Sequence, residues 1–349
     1  MPDGSAVTIA VDTNGADLGP AEVAAGAATA AAQGVRVLLF GPAEAIGDVV
    51  DGVEVIDAPV SIAKASDPAI AVRSTPDASI VQAARAVAEG RAQAFVAGGS
   101  TGAALAAGLF NIRRASGIFR PALALPLPIP GKPVTLLDVG ANAESRPEHL
   151  VQFAFMGAAL AQIVLGVDEP RVGLLSNGEE AMKGTPLVLE THEKLAASPL
   201  RFVGNVEGLD LTSGVADVIV TDGFTGNVTL KVAEGVSQTM LESVRAAAMS
   251  STRAKVGGAL LRPSLRGLRD QIDPEGPGGA YLLGLRQLGV VPHGRFTRFG
   301  WSQAILLAAR GVSGDVVGRT HAALEAAGAV RPKGPAASSE DLSTVPSQP

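Results

Sequence analysis

The chain has 349 residues, 47% hydrophobic but only 3% aromatic, so its core has to be built from Ala, Val, Leu and Ile. It contains no cysteine, which excludes disulfides, thiolate metal sites and a thiol nucleophile. The formal net charge of -6 and the scarcity of stacking aromatics argue against nucleic acid as a partner.

Length alone suggests about two domains, although an α/β unit of this size can be one. The first residues carry no basic segment followed by an apolar signal core, so a cytoplasmic protein is expected. Val151 to Val167 approaches membrane-spanning length, but Gln152 and Gln162 interrupt it, and it reads as a buried helix.

In chain order, Val7 to Val11 is a strand, and the turn Asp12-Thr-Asn-Gly-Ala-Asp17-Leu-Gly-Pro20 precedes an Ala-rich helix from Ala21 to Gln33. Asp12, Asn14 and Asp17 crowd that turn, where they suit a cation, substrate amides or the cap of the helix. Val35 to Phe40 and Val53 to Ile56 are further strands. Thr75 and Pro76 mark the N-cap and first position of a helix that runs to Glu89 and stops at Gly90.

Ala94 to Ala97 is the next strand, followed by Gly98-Gly-Ser-Thr-Gly102 and a helix to about Arg114. This turn has three readings. It is a plain structural turn, or a phosphate cradle built from Gly99, Ser100, Thr101 and Gly102, or a G-x-S-x-G nucleophile elbow with Asp222 and His293 following in the chain order of a hydrolase. No HGGG-type oxyanion motif accompanies it.

Arg120-Pro121 leads into a Pro-rich strand region, Ala122 to Pro130, and Val134 to Asp138 is a buried strand followed by Gly140-Ala-Asn142. Ser145 and Glu148 form a capping box with Pro147 in the first turn, so a helix is expected over 147–165. His149 in that turn is a packed or capping residue, or a ligand at a helix start. Arg171 to Leu175 is a strand ending in a loop that carries Asn177, Glu179, Glu180 and Lys183. If this loop faces the same crevice as the earlier turns, Lys183 supplies a positive charge and Asn177 a neutral donor; otherwise it is a solvated loop. Phe202 to Val206 places Asn205 and Glu207 at another strand end.

Val218 to Val220 has no polar alternation, as expected of a strand buried on both faces. Asp222, Thr225 and Asn227 are cap formers, Gly223 and Gly226 permit close approach, and Val228, Val232 and Val236 continue with helical spacing. A turn at the carboxyl end of such a strand is where open α/β sheets bind ligands, though an ordinary capped loop gives the same pattern. From 241 to 269, Arg245, Arg253, Lys255, Arg262, Arg266 and Arg269 interleave with Met249, Val256, Leu260, Leu261, Leu265 and Leu268, with no acid between Glu242 and Asp270. That suits anionic lipid, an acidic protein or a solvated helix face. Residues 278–284 read as a turn, Val290 to Gly294 as the final strand, and Gln303 to Arg310 as the start of the closing helix. The stretch 331–349, rich in Pro, Ser and Ala, reads as a disordered tail.

Taken together, Gly98-Gly-Ser-Thr-Gly102, Leu137-Asp-Val-Gly-Ala-Asn142, Pro147-Glu-His-Leu-Val-Gln-Phe-Ala154, Gly173-Leu-Leu-Ser-Asn-Gly-Glu-Glu180 with Lys183-Gly184, Gly204-Asn-Val-Glu-Gly208 and Asp222-Gly-Phe-Thr-Gly-Asn227 resemble the phosphate acyltransferase family. The match runs from about Val7 to Gly328. The resemblance implies a three-layer α/β/α Rossmann-like sandwich with a mostly parallel sheet, of the isocitrate dehydrogenase and phosphotransacetylase kind. It implies a single domain over 1–330 with 241–270 as a basic amphipathic insertion. The implied activity is bacterial phospholipid synthesis, moving a fatty acyl group from acyl carrier protein to orthophosphate to give acyl phosphate. The implied assembly is a homodimer, with no cofactor and no metal. Two departures stand out: Asp12-Thr-Asn-Gly-Ala-Asp17 replaces the family's Asp-Ala-Met-Gly-Gly-Asp, and Arg73-Ser-Thr-Pro-Asp77 lacks further basic residues.

Orthophosphate is already anionic near neutral pH, so its attack on a thioester needs positioning more than a strong base. On this reading Gly98 to Gly102 and Asp222 to Asn227 hold the anion, and Asp12, Asn14, Asp17, Glu179, Asn205 and Glu207 complete the substrate site. Lys183 offsets charge, Asn142, Asn177 or Asn227 donates to the oxyanion, and His149 protonates or orients the departing thiol. Two rivals remain, a serine hydrolase using Ser100 and a non-enzymatic lipid-surface scaffold. A dehydrogenase would want a G-x-G-x-x-G at the first helix, and none is present. Peripheral contact with anionic membrane through 241–269 is a separate expectation.

Overall fold

A computed structural model describes residues 6–331. The expected disordered tail therefore lies, beyond Arg331, outside the described residues. The strands are β1 (Thr8–Asp12), β2 (Arg36–Gly41), β3 (Val53–Asp57), β4 (Ala94–Ala97), β5 (Ala122–Leu127), β6 (Val134–Leu137), β7 (Val172–Leu175), β8 (Phe202–Val206), β9 (Val218–Val220), β10 (Ala280–Leu283) and β11 (Leu288–Val291). They form one sheet in the order β3-β2-β1-β4-β11-β10-β5-β6-β9-β7-β8.

Parallel pairing holds on both flanks of the sheet, from β3 to β11 and from β6 to β8. The antiparallel pairs β10–β11, β10–β5 and β5–β6 lie between them. Since β11 runs with β4, β5 runs with β4 as well, and β6 runs against it. The strands β6, β9, β7 and β8 therefore point opposite to β1, β2, β3, β4 and β11.

The helices are α1 (Pro20–Ala31), α2 (Ala43–Ile46), α3 (Pro68–Ser74), α4 (Ser79–Ala88), α5 (Thr101–Ala107), α6 (Pro147–Val164), α7 (Pro186–Ala196), α8 (Gly223–Met249), α9 (Thr252–Gln271), α10 (Arg298–Ser313) and α11 (Val316–Ala326). Alternation along β1 sorts the layers: Ile9 and Val11 pack with α1, α6, α10 and α11 on one face, and Ala10 packs with α3, α4 and α5 on the other. The result is the α/β/α sandwich expected, with Trp301, Phe153 and Leu160 filling one layer and Phe40 and Phe95 the other. Residues 151–164 lie in α6, whose Phe153, Met156 and Leu160 are fully buried against the sheet. No helix among the described residues is long and apolar enough to cross a membrane.

Several local expectations need correction. Residues 280–283 are strand β10 rather than part of a turn, because Tyr281 and Leu282 pair with β11 on one side and β5 on the other. Thr75 closes α3 instead of capping the next helix, and α4 starts only at Ser79, whose hydroxyl is drawn to Asp12. The capping box at α6 does not form between Ser145 and Glu148: the N-cap is Arg146, and Glu148 turns to Lys194 at 3.6 Å. The segment 241–269 is helical as expected, comprising the end of α8 and α9, which packs against it.

Candidate functional site

Strand direction divides the expected site residues into two groups. The ends of β6, β9, β7 and β8 carry Asn142, Asp222, Thr225, Gly226, Asn227, Asn177, Glu179, Lys183, Asn205 and Glu207 at one edge of the sheet. The ends of β1 and β4 carry Asp12, Asn14, Asp17, Gly99, Ser100, Thr101 and Gly102 at the other. The two groups thus follow strands of opposite direction.

At the first edge the organising group is Asp138, immediately after β6 and fully buried. Its Oδ1 accepts N–H groups from Leu123 at 3.0 Å, Gly140 at 3.1 Å and Ala141 at 2.9 Å, and its Oδ2 accepts the Asn142 N–H at 2.8 Å. Burial pushes its carboxyl pKa up while these donors pull it back. Asn142 gives both amide hydrogens away, one to Asp138 Oδ2 at 2.8 Å and one to the Pro121 carbonyl at 2.7 Å. Asn227 donates once, to the Val139 carbonyl at 3.0 Å, so one of its amide hydrogens has no partner among the described residues. Asp222 caps α8, accepting the Thr225 N–H at 2.9 Å and the Thr225 hydroxyl at 2.7 Å. The start of α8 sits directly on β6. A Cβ on Gly226 would lie 1.9 Å from the Asp138 carbonyl oxygen, so only glycine permits this approach.

Beside it, Asn205 is buried and pins the loop after β7. Its Nδ2 donates to the Glu180 carbonyl at 2.9 Å, and its Oδ1 meets Nδ1 of His192 at 2.9 Å. Lys183, Asn177 and Glu179 project from this held loop into solvent. Lys183 has no carboxylate within ion-pair distance among the described residues. The Glu207 N–H binds Asp210 at 2.9 Å, closing a short turn. His149 is buried in the first turn of α6, where its Nδ1 accepts the Arg146 N–H at 3.2 Å. Desolvation, then the charges of Arg120 and Arg146, push its pKa down.

At the opposite edge, Asp12 is 3% exposed and accepts the Ser79 hydroxyl at 2.6 Å and the Asn14 N–H at 3.2 Å. Burial raises its pKa to about 6. The Asn14 amide spends itself on Ser79 at 2.9 Å and the Ala58 carbonyl at 3.1 Å. Neither residue caps α1, whose N-cap Gly19 has no side-chain bond. Ser100 caps α5, accepting the Ala103 N–H at 3.3 Å. His293 follows β11 and accepts the Arg295 N–H at 3.4 Å, and among the described residues no hydrogen bond joins Ser100, Asp222 and His293 into a triad. Desolvation first, and then the charge of Arg295, push the His293 pKa down, with Glu234 and Asp17 pulling it up and Lys231 adding a smaller push down.

Sequence reasoning missed Asp138 as the hub. The signal was present, since an aspartate at a strand end before Gly140-Ala-Asn142 is an Asx-type turn former. It also missed His192, because α7 itself was not anticipated.

A family model described as "Fatty acid synthesis protein" matches residues 7–319. A phosphate acyltransferase from Gloeobacter violaceus is 44% identical over 323 residues, 90% of this chain and 95% of that protein. A phosphotransacetylase structure from Streptococcus pyogenes superposes with a TM-score of 0.59 at 16% identity, covering 89% of this chain and 95% of that one. A 4-hydroxythreonine-4-phosphate dehydrogenase from Klebsiella pneumoniae gives a TM-score of 0.51 at 16% identity, covering 89% and 99%. At such identities these structures speak for the fold alone.

Proposed function

This chain belongs to the phosphate acyltransferase family, and we propose that it transfers its acyl group at the sheet edge shared by β6, β9, β7 and β8. It is an acyltransferase of phospholipid synthesis that acts on phosphate. The proposed donor is a fatty acyl thioester of acyl carrier protein, and the product is acyl phosphate. The observation that carries this reading is the common direction of the four strands, which gathers Lys183, Asn177, Asn227 and the Asp222 to Thr225 helix start at one edge.

In the proposed step an oxygen of hydrogen phosphate bonds to the thioester carbon, the C–S bond breaks, and the carrier leaves as a thiolate that takes up the proton given up by the phosphate. Lys183 offsets the negative charge as phosphate meets the carbonyl. The remaining amide hydrogen of Asn227, or Asn177, donates to the developing oxyanion, an interaction worth about 3 kcal/mol. Asn142 and Asn205, with their amides committed to the protein, shape the loops. His149 likewise serves as a fixed buried support. The turns with Asp12, Asn14, Asp17 and Gly99 to Gly102 are assigned to substrate binding in the same proposal.

Two assembly features belong to the same proposal. Phe224, Val228, Val232, Val236 and Met240 recur every fourth residue along α8 and are exposed, a stripe suited to a second copy of the chain. Leu260, 78% exposed, and Leu261 stand among Arg253, Lys255, Arg262 and Arg266 on α9, a pattern suited to peripheral contact with anionic lipid from the cytoplasm.

The test is incubation with palmitoyl-acyl carrier protein, with and without orthophosphate, trapping acyl phosphate with hydroxylamine. Thiol release that requires phosphate and yields hydroxamate is expected. Phosphate-independent release of free fatty acid would transfer the reading to a Ser100 hydrolase.

A further inference from the structure

Five exposed or half-buried arginines gather around one corner of the molecule, although the chain as a whole is acidic, with a net charge of -6. Arg113, Arg114 and Arg120 lie on the loop after α5, Arg286 on the β10–β11 turn, and Arg146 at the start of α6. The pieces are tied together: the Arg286 N–H donates to the Arg113 carbonyl at 3.0 Å and the Ala115 N–H to the Gly284 carbonyl at 3.0 Å. Gln152 of α6 holds the same loop, with Nε2 donating to the Gly117 carbonyl and Oε1 accepting the Phe119 N–H, each at 2.8 Å. Among the described residues none of these arginines forms an ion pair. Arg114 also donates through its guanidinium to the Phe119 carbonyl. Burial first, and then the charges of Arg331 and Arg120, push the Arg114 pKa down.

The patch adjoins the proposed reaction edge. Arg120 precedes Pro121, whose carbonyl accepts the Asn142 amide at 2.7 Å. Beside the patch lies an apolar hollow lined by Ala115, Ile118, Leu283, Leu285, Val316 and Thr320. Cations around an apolar socket are the anatomy of a protein interface, with a charged rim and a desolvated centre. The arginines come from a loop, a hairpin and a helix start, a spread that suits an extended acidic surface better than a single anion. On a chain of net negative charge, an acidic partner needs such a local field to be steered in.

Resting on the acyl transfer reading above, we infer that this arginine corner is the docking surface for the acidic acyl carrier protein, delivering its thioester to the edge beside Asn142. The basic face of α9 is then left for lipid.

The experiment compares wild type, Arg120→Glu with Arg286→Glu, and Arg146→Glu on two donors, palmitoyl-acyl carrier protein and the neutral thioester S-palmitoyl-N-acetylcysteamine. Glutamate at the Arg146 position suits a helix start, so that variant keeps the fold testable. The KM for the carrier-borne donor is expected to rise at least tenfold at low salt and to lose most of its salt dependence, while kcat/KM for the neutral thioester stays within twofold. An unchanged carrier KM, equal losses on both donors, or a change of oligomeric mass with the carrier KM unaltered would each overturn the docking surface. Failure of wild type to make acyl phosphate from either donor would overturn the functional reading, and the docking surface with it.

Discussion

Asn142 binds one oxygen of Asp138 twice, through its backbone N–H and through its side-chain Nδ2, each at 2.8 Å. The other oxygen of Asp138 collects three more backbone donors. One buried carboxylate therefore sets the path from β6 to Asn142. In Asp138→Asn an amide NH2 faces N–H groups whichever way it turns, leaving donors unpaired at about 1–3 kcal/mol each. The variant should lose about 2–5 kcal/mol in urea unfolding and more than tenfold in turnover.

Gly226 touches the same hub. In Gly226→Ala the new Cβ would lie 1.9 Å from the Asp138 carbonyl oxygen, so the first turn of α8 must move away from β6. A loss of about 1–3 kcal/mol is expected from overpacking, with turnover falling as Asn227 shifts. Gly235→Ala is the control. No heavy atom lies near its Cβ position, so it should stabilise α8 by about 0.5–1 kcal/mol and leave turnover unchanged.

Asp12 predicts a pH-dependent stability. Its pKa is raised from 3.8 to about 6 by burial, so the folded protein binds more protons than the unfolded chain between those values. The favourable contribution is complete below pH 3.8 and is lost as pH rises through 6, a cost of about 3 kcal/mol on the charged form. Asn can keep the oxygen that accepts from Ser79 and Asn14 without the charge. Asp12→Asn should therefore be more stable than wild type at pH 8, by up to about 3 kcal/mol, with the gap closing toward pH 4 in denaturant titrations.

Much of this architecture is legible in the chain, and the exceptions are instructive. The buried runs of β4, β7 and β9 announce themselves by unbroken apolar residues, and Gly90 and Pro147 punctuate their helices. Tyr281 to Leu283 hides between glycines because its strand character comes from partners far away in sequence, β5 and β11. The same antiparallel strands reverse the direction of β6 relative to β4, so no local pattern could reveal that Lys183 and Ser100 leave the sheet at opposite edges. Cap-forming pairs at Asp67-Pro68 and Thr185-Pro186 do start α3 and α7, with side-chain bonds to Ile70 and Val188 N–H groups.

The lipid contact can be tested without the chemistry. Leu260→Asp with Leu261→Asp places two charges on the exposed apolar face of α9. Flotation with anionic vesicles should fall at least tenfold, while phosphate-dependent turnover of a soluble donor stays within twofold. Equal flotation would remove α9 from the membrane contact.

The division of the sheet into two edges makes one comparison decisive: single-turnover formation of acyl phosphate from palmitoyl-acyl carrier protein by Lys183→Met and by Ser100→Ala. Transfer at the β6, β9, β7 and β8 edge predicts a loss of at least about tenfold for Lys183→Met, equivalent to roughly 1.4 kcal/mol. For Ser100→Ala, where an α5 cap is lost, it predicts only partial loss. Abolished transfer in Ser100→Ala, with Lys183→Met folded and fully active, would contradict the account and place the chemistry at the other edge.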